Sequence, residues 1–425
     1  MFKRLTCFFL VGFFVFSLLP APLRAFEPSP EDRTLLNKIE KDTLQYFTRF
    51  SDKITGLTKD SSRAGSPSSV AATGFALAAY AIGGSRGWIA PDYAYNRILT
   101  TLQTLRHKAA HEKGVFYHFL DARTGKRVWG SEASSIDTAL AVAGALLAAR
   151  YYPGTEIEKL AREIYERVDW KWMMNNSDFI CMGWTPESKF LPYYWDSYNE
   201  LMLLVALAVG SPTFPVPPSA WERWLRPEGD YNSHKIIFAS TGALFTYQFS
   251  HAYIDFRDLN DRGINFFENS REATLGNREY SMSFSGKYKG YSESSWGLSS
   301  SVGPGGYKAY GGKPGGGLQD GTIAPYATLS SIVFTPELST QAARFFYDRY
   351  QKELYGNFGF KDAFNLDKGW WANEYLGIDQ GITLLMLENY LNGESVWKKF
   401  MGLPAIKRWV ELTGLAKQPS SITKN

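Results

Sequence analysis

The sequence predicts an all-helical fold in which an inner ring of buried helices is covered by an outer ring of half-exposed ones, as in an α/α barrel. Some segments with helical spacing are apolar nearly all round, whereas others are apolar on one face only, and the two kinds alternate along the chain. The 425 residues contain no linker that would divide them into two domains. One large closed architecture therefore fits the length better than two separate domains.

The predicted inner helices share a high content of Ala and Leu and carry very few charges. They are Thr73–Ala81, Asp137–Arg150, Glu200–Val209 and Asp379–Leu391. The predicted outer helices mix charged and apolar residues at helical spacing. They are Glu31–Phe50, Tyr93–Lys108, Glu156–Val168 and Pro336–Leu354.

The remaining segments are predicted to be irregular, with one hairpin. Residues 51–63 and 211–234 show no periodicity, and the Gly-rich stretch 303–321 is interpreted as a flexible binding loop. That stretch lacks the GK[ST] ending of a phosphate-binding loop. Only residues 116–130 have the pattern of a β-hairpin, with Thr124 and Gly125 at its turn.

The first 25 residues are expected to be a cleavable signal peptide. Lys3 and Arg4 precede the apolar run Leu5–Leu19, and small residues lead to Ala25, where we expect cleavage. A permanent anchor is the alternative, but the run is short for a membrane span. The expected organisation is therefore a leader at 1–25, one domain at 26–415 and a polar tail at 416–425, in a periplasmic or secreted protein without stable membrane insertion.

Charge and cysteine content exclude several classes of function. The whole chain carries +4, and removal of Lys3, Arg4 and Arg24 leaves 43 basic against 42 acidic residues, or +1. Such a chain lacks the basic field that nucleic-acid binding requires. The mature chain would keep only Cys181, so it can form no internal disulfide. Five His without an HExxH pair, and no GxSxG elbow, lead us to expect no metal, no cofactor and no acyl transfer.

Many of the aromatic residues lie among polar residues and Gly instead of in apolar runs. The clusters are PYYWDSY (192–198), GYSESSWG (290–297), GGYKAYGG (305–312) and KGWWANEY (368–375). Such rings indicate a groove that stacks on a flat ligand rich in hydroxyl groups, although packing within loops is the alternative for any single ring. The candidate binding rings are Tyr194, Trp195, Tyr291, Trp296, Tyr307, Tyr310, Trp370 and Trp371.

Acidic residues occur where the predicted inner helices begin. Asp137, Glu200 and Asp379 each stand at such a start, beside Ser, Asn or Gly. Helix capping alone explains one such acid. However, the inner helices of an α/α barrel run parallel, so these acids would meet at one mouth together with the aromatic loops. Glu132 and Glu293 complete a set of five candidate acids, of which glycoside hydrolysis needs two.

Two further polar residues are candidates for sugar binding. Asn199 precedes Glu200, where burial of the helix start could raise the carboxyl pKa as a general acid requires. His251 could bind a sugar hydroxyl, and a hydrogen-bonded core histidine is the alternative.

Five long motifs carry a resemblance to a known family. They are SYNELMLLVALAVGSPTFPVPP (197–218), FSHAYIDFRDLNDRGINFFENSREATLGNREY (249–280), GYSESSWGLSSSVGPGGYKAYGG (290–312), QDGTIAPYA (319–327) and GWWANEYLGIDQGITLLMLENY (369–390). The chain resembles glycoside hydrolase family 144, the bacterial β-1,2-glucanases known also as the "putative glucoamylase" domain, over residues 35–410. That family is related to domains of cyclic β-1,2-glucan synthases.

The resemblance implies an (α/α)6 barrel without a metal that hydrolyses β-1,2-glucan to sophorose or short sophorooligosaccharides. It implies that Glu200 is the general acid, that Asp379 is the base in an inverting reaction, and that Asp137 lines the cleft. Glu293 matches a residue that looks like the nucleophile of transglycosylating relatives, so a retaining β-1,2-glucan transglycosylase is an alternative. A non-catalytic glucan-binding protein of the cell envelope is another. Endo or exo action stays open, and we expect a monomer.

Overall fold

The structure is a computed structural model that describes residues 26–417. The predicted leader at 1–25 and residues 418–425 of the predicted tail lie outside the described residues. The first two residues of that tail, Ala416–Lys417, pair as a strand with Leu259–Asn260.

Within the described residues, α-helices form two concentric rings, which confirms the predicted α/α fold. The inner ring contains α2 (Val70–Ser85), α4 (Ser135–Ala149), α6 (Leu201–Gly210), α8 (Phe249–Tyr253), α10 (Pro325–Leu329) and α12 (Gly377–Leu391). The outer ring contains α1 (Pro30–Phe50), α3 (Pro91–His107), α5 (Glu156–Arg167), α7 (Ser219–Glu222), α9 (Phe266–Met282) and α11 (Pro336–Leu354). Finally, α13 (Ser395–Met401) and α14 (Pro404–Thr413) follow the last inner helix, and α14 packs on α6.

All eight helices predicted from the sequence are present, but the prediction omitted several others. The inner helices α8 and α10 are only five residues long, which is too short to show a helical period. Both are nevertheless fully buried. Two short 3₁₀ helices, Trp172–Met174 and Leu244–Tyr247, lie in the connecting segments.

The helices of the inner ring approach one another closely because they carry small side chains. A Cβ atom added to Gly144 of α4 would lie 1.9 Å from the carbonyl oxygen of Gly74 in α2, and one added to Gly74 would lie 2.4 Å from the carbonyl oxygen of Leu140. Neither position can carry a larger residue without displacing a backbone. The Ala-rich and Gly-containing composition of these segments is therefore what allows the inner ring to close.

The inner helices run parallel, and loops join their N-terminal ends at one mouth. The amide of Val70 at the start of α2 donates to the carbonyl of His118 (3.1 Å), and the amide of Gly377 at the start of α12 donates to the carbonyl of Asp60 (2.7 Å). At the opposite end, Arg86, which follows α2, donates to Glu388 near the end of α12 (2.6 Å).

The strands are short and antiparallel, and they lie in the connections between helices. The paired strands are β1 (Ser68–Ser69) with β4 (Phe119–Leu120); β2 (His111–Glu112) with β3 (Val115–Phe116); β5 (Ala133–Ser134) with β6 (Gly183–Thr185) and β7 (Lys189–Phe190); β8 (Glu228–Tyr231) with β9 (His234–Ile237); β10 (Leu259–Asn260) with β18 (Ala416–Lys417); β11 (Ser300–Gly303) with β12 (Gly306–Ala309); β13 (Thr322–Ile323) with β16 (Phe364–Asn365) and β17 (Trp370–Trp371); and β14 (Tyr355–Gly356) with β15 (Gly359–Phe360).

The predicted hairpin at 116–130 is present, since Leu120 pairs with Arg127 and Asp121 holds the turn by accepting from the amide of Thr124 (2.8 Å). The expectation that it would be the only hairpin is wrong. Other hairpins include β8–β9 and β11–β12, and the second of these occupies part of the Gly-rich stretch. Strands of two to four residues are too short to show the alternation that predicts a strand. Among the helices at 26–417, none has the length and apolar character needed to cross a membrane.

Candidate active site

A cleft opens at the mouth where the inner helices begin. Its volume is about 520 Å³. Loops that precede α2 and α12, the hairpin β11–β12 and the segment around β4 supply its walls. The lining residues are Asp60, Ser61, Arg63, Ala64, Gly65, Ser66, His118, Phe119, Trp129, Val302, Tyr307, Glu374, Leu376 and Ile378.

A histidine binds two of the predicted acids beside this cleft. His118 Nδ1 lies 3.0 Å from Glu132 Oε1, and His118 Nε2 lies 3.7 Å from Asp137 Oδ1. Although burial opposes the charge, Asp137, Glu132 and Asp60 raise the pKa of His118 to about 9. His118 is therefore a cation at neutral pH. The three side chains are close enough to ligate a metal ion, but the imidazolium itself already supplies the positive charge that the two carboxylates attract.

The acids at the helix starts differ in whether they take part in helix capping. Asp137 takes part, because its amide donates to Oγ of the N-cap residue Ser134 (3.3 Å) and its carboxylate accepts from the same hydroxyl (2.5 Å). The N-cap residues of α6 and α12 are Glu200 and Leu376, and neither side chain makes a capping hydrogen bond. Asn199 caps α6 instead, since its Oδ1 accepts from the amide of Leu201 (2.9 Å). The carboxyl groups of Glu200 and Asp379 thus remain available for chemistry.

Glu200 has the protonation behaviour of a general acid. Burial, reinforced by the negative charge of Asp137, raises the pKa of Glu200 to about 7. Its backbone carbonyl accepts from Ser250 Oγ (2.9 Å), which ties the start of α6 to α8. A carboxyl group that is half protonated near neutral pH can donate a proton to a leaving group and be reprotonated by solvent.

Asp379 forms a buried carboxyl pair with Asp362, a residue that the sequence did not indicate. Both side chains are 2% exposed. Asp362 Oδ2 accepts from the amide of Val302 in β11 (2.6 Å). Asp362 Oδ1 and Asp379 Oδ2 meet no N–H or hydroxyl donor among the described residues, and the two carboxyl groups are within hydrogen-bonding reach of each other.

Burial and mutual repulsion favour one proton on this pair at neutral pH. Burial raises the pKa of Asp362 to about 6, and burial together with the charge of Asp362 raises the pKa of Asp379 well above its ordinary value. Two carboxyl groups this close do not both ionise at neutral pH. The pair then carries one negative charge, which can accept a proton from water.

Two acids, Asp60 and Glu374, line the cleft itself. Burial raises the pKa of Asp60 to about 6, and the charges of Asp137 and Glu374 add to this effect against the opposing charge of His118. Glu374 is 5% exposed and pairs with Arg63. The cation His118 thus feels the charges of Asp137, Glu132 and Asp60, and the cation Arg63 pairs with Glu374.

Some of the predicted sugar-binding rings remain accessible. Tyr307 in β12 is 58% exposed and lines the cleft. Trp370 and Trp371 of β17 are half-buried, and Trp371 stacks on Phe364. Tyr194 is half-buried and its hydroxyl accepts from Asn175 (3.2 Å).

Other predicted binding residues are core residues, and we correct their role accordingly. Trp296 and His251 are fully buried, Tyr310 is 1% exposed and Tyr291 is 2% exposed, so none can present a ring face to a sugar. His251 Nε2 lies 2.9 Å from Ser270 Oγ, and burial lowers its pKa to about 3, as expected of a neutral packed histidine. Trp195 is 7% exposed and donates from Nε1 to Ser135 Oγ (2.9 Å), which braces the start of α4.

The structure does not bring Glu293 to the other acids. It stands exposed at a tight turn where Ser292 pairs with Ser295, and its carbonyl accepts from Arg278 (3.0 Å). Its neighbour Ser294 lines a separate surface depression formed with α1 and α11. The position therefore offers no support for a nucleophile at residue 293.

Sequence reasoning missed Asp60, His118, Asp362 and Glu374. All four lie in loops or at strand ends, where no periodic pattern marks a functional position. His118 lies in the predicted hairpin and Glu374 lies in an aromatic cluster. For these two residues, the one indication of function in the sequence was that they stand close to residues already selected as candidates.

A double ring of helices with a carboxyl-lined cleft at its mouth defines the (α/α)6-toroid class. Residues 192–404 match the family described as "Putative glucoamylase", and the chain belongs to this family. The resemblance found from the motifs is confirmed.

Individual relatives agree with this assignment. The chain is 26% identical over 419 residues to the exo β-1,2-glucooligosaccharide sophorohydrolase (non-reducing end) of Parabacteroides distasonis, a match that covers 89% of this chain and 58% of that protein. It therefore spans less than two thirds of that curated relative.

Two solved structures are similar over nearly their full length. A putative glucoamylase from Bacteroides uniformis has a TM-score of 0.87 and 30% identity, covering 92% of this chain and 99% of that chain. The endo-β-1,2-glucanase from Chitinophaga pinensis, in complex with sophorotriose and glucose, has a TM-score of 0.84 and 29% identity, covering 91% and 98%.

Replacing His118 by Gln is expected to destabilise the protein in a pH-dependent way. Because the folded-state pKa of about 9 lies above the ordinary 6.5, the stabilisation is fully present below pH 6.5 and is lost as the pH rises through 9. His118→Gln should lower the free energy of unfolding by up to about 3 kcal/mol near pH 6. Urea unfolding of both proteins from about pH 6 to about pH 10 measures this difference.

The matched control is His107→Gln, at an exposed position on α3. A His118→Gln effect that stays constant over this pH range would contradict the charged cluster.

Proposed function

We propose that the protein hydrolyses β-1,2-linked glucan to sophorose or short sophorooligosaccharides. The observation that carries the proposal is the combination of a near-neutral acid, Glu200, with a singly charged carboxyl pair, Asp362 and Asp379, at one mouth. Glycoside hydrolysis requires one protonated and one ionised carboxyl group. The β-1,2-glucan-degrading relatives of Parabacteroides distasonis and Chitinophaga pinensis support the choice of linkage.

In this mechanism Glu200 protonates the glycosidic oxygen and the Asp362–Asp379 pair takes a proton from the attacking water. Water would attack from the face opposite the leaving group, so the anomeric configuration would invert. His118 contacts Glu132 and Asp137, and these two carboxyl groups would accept hydrogen bonds from sugar hydroxyls. The competing retaining mechanism loses its candidate nucleophile, because Glu293 lies on an exposed turn outside the cleft.

The setting of the reaction is also a proposal. The basic start, apolar run and small residues up to Ala25 support export to the periplasm or beyond the cell. A monomer acting on a β-glucan chain is the simplest assembly for a cleft built within one chain. Relatives of both endo and exo type leave either product pattern open.

Incubation with linear β-1,2-glucan tests the proposed substrate. We expect β-1,2-linked products whose size falls with time, with no products from β-1,3-glucan, β-1,4-glucan or starch under the same conditions. Chromatography of the products measures chain length and separates endo from exo action. Cleavage of one of the other glucans without cleavage of β-1,2-glucan would overturn the linkage.

Substitution of the two central carboxyl groups tests the mechanism. Glu200→Gln and Asp379→Asn should each lower kcat by at least about 100-fold, because proton transfer to the leaving group or from water is lost. Circular dichroism should show an unchanged fold. Glu293→Gln is the matched variant outside the cleft and should keep the wild-type kcat. If Glu293→Gln were inactive and NMR showed products of retained anomeric configuration, the retaining alternative would be established instead.

The pH dependence of kcat/KM tests the role of Glu200. Since the general acid must be protonated in the free enzyme, activity should fall as the pH rises through about 7. Asp137→Asn removes a negative neighbour that raises this pKa, so the alkaline limb should move to lower pH. An alkaline limb that Asp137→Asn leaves in place would show that another group controls it.

A further inference from the structure

Trp129 is an exposed tryptophan on the rim of the cleft. Its side chain is 71% exposed, and it lines the cleft with Asp60, Tyr307 and Glu374. Its φ of 58° lies in the left-handed region that favours Gly. Among the non-Gly residues of 26–417 with positive φ, it is the only aromatic one. Trp129 therefore has a bulky side chain at a position where its backbone conformation is strained and Gly would be less strained.

The loop that carries Trp129 is rigidly built. Arg127 donates from Nε to the carbonyl of Ser131 (2.5 Å) and from Nη2 to the carbonyl of Gly130 (2.5 Å). The same guanidinium makes a bidentate ion pair with Glu187 (2.7 and 2.9 Å). The exposure of Trp129 is therefore fixed by the structure around it and does not result from a loose loop.

The ring continues an aromatic wall that leads to the acids. Trp129 contacts Phe119 with ring centroids 5.2 Å apart, and Phe119 stacks on His118 at 3.9 Å and 14°. His118 in turn contacts Glu132 and Asp137. One side of the cleft thus runs from an exposed indole at the rim to the charged groups within.

We propose that Trp129 is the stacking platform of an outer subsite that binds a glucosyl ring remote from the bond being cleaved. The axial C–H faces of a β-glucosyl ring match an indole face, and a fixed ring pays little entropy on binding. The inference rests on the proposed function and adds to it the residue that favours long chains over short ones.

Trp129→Gly provides a test with two independent readouts, the melting temperature and KM. Gly accepts positive φ without strain, so the melting temperature should stay at or above that of the wild type. Loss of the ring should raise KM for polymeric β-1,2-glucan by about 3- to 10-fold, the range expected for one stacking contact, with kcat unchanged. KM for the shortest β-1,2-linked oligosaccharide that the wild type cleaves should not change.

Two further variants make the test specific. Trp129→Phe keeps a stacking ring and should restore KM towards the wild-type value. Phe214→Ala removes a 41% exposed ring beyond the C-terminal end of α6, at the other end of the barrel, and should have no effect.

The outcomes are distinguishable. If the wild type cleaves β-1,2-glucan and Trp129→Gly leaves KM for the polymer unchanged, the subsite is overturned and the proposed function stands. A fall in melting temperature together with a higher KM for both substrates would assign Trp129 a structural role and overturn the subsite. Failure of the wild type to cleave β-1,2-glucan would overturn the proposed function, and this inference with it.

Discussion

The close packing of parallel inner helices is the constraint on which the rest of the structure depends. These helices are buried on all sides, and Gly74 and Gly144 let α2 and α4 meet backbone to backbone. A ring built in this way has almost no room for polar side chains along its length. Functional groups can therefore stand only at the helix ends and in the loops that join them, and the parallel arrangement gathers the N-terminal ends into one mouth.

Crowding acids at that mouth has an electrostatic consequence. Carboxyl groups that are buried side by side repel one another, so their pKa values rise until some of them hold protons near neutral pH. Glu200 becomes an acid with a pKa of about 7, while Asp362 and Asp379 together retain one charge. His118 and Arg63 supply the compensating positive charge. The same burial that makes the barrel stable thus divides the acids into proton donors and proton acceptors.

The elements that could be predicted from the sequence are those with a periodic pattern of apolar residues. Long helices can be predicted from composition and period, and Glu200 and Asp379 were selected as candidates because they stand at the starts of such helices. The short inner helices α8 and α10 have too few residues to show a period. Asp60 and Asp362 come from loops whose course depends on tertiary packing, so no local pattern marked them. Aromatic residues in polar surroundings proved ambiguous: Tyr307 lines the cleft, whereas Trp296 is buried in the core.

We propose that the bond to be cleaved lies between Glu200 and the Asp362–Asp379 pair. A crystal structure of the Glu200→Gln variant with a β-1,2-linked glucooligosaccharide tests it most directly. We expect the sugar chain to occupy the cleft, with one glycosidic oxygen beside position 200 and an ordered water between the anomeric carbon of that bond and Asp379. A sugar chain bound outside the cleft, for example along the turn that carries Glu293, would contradict it.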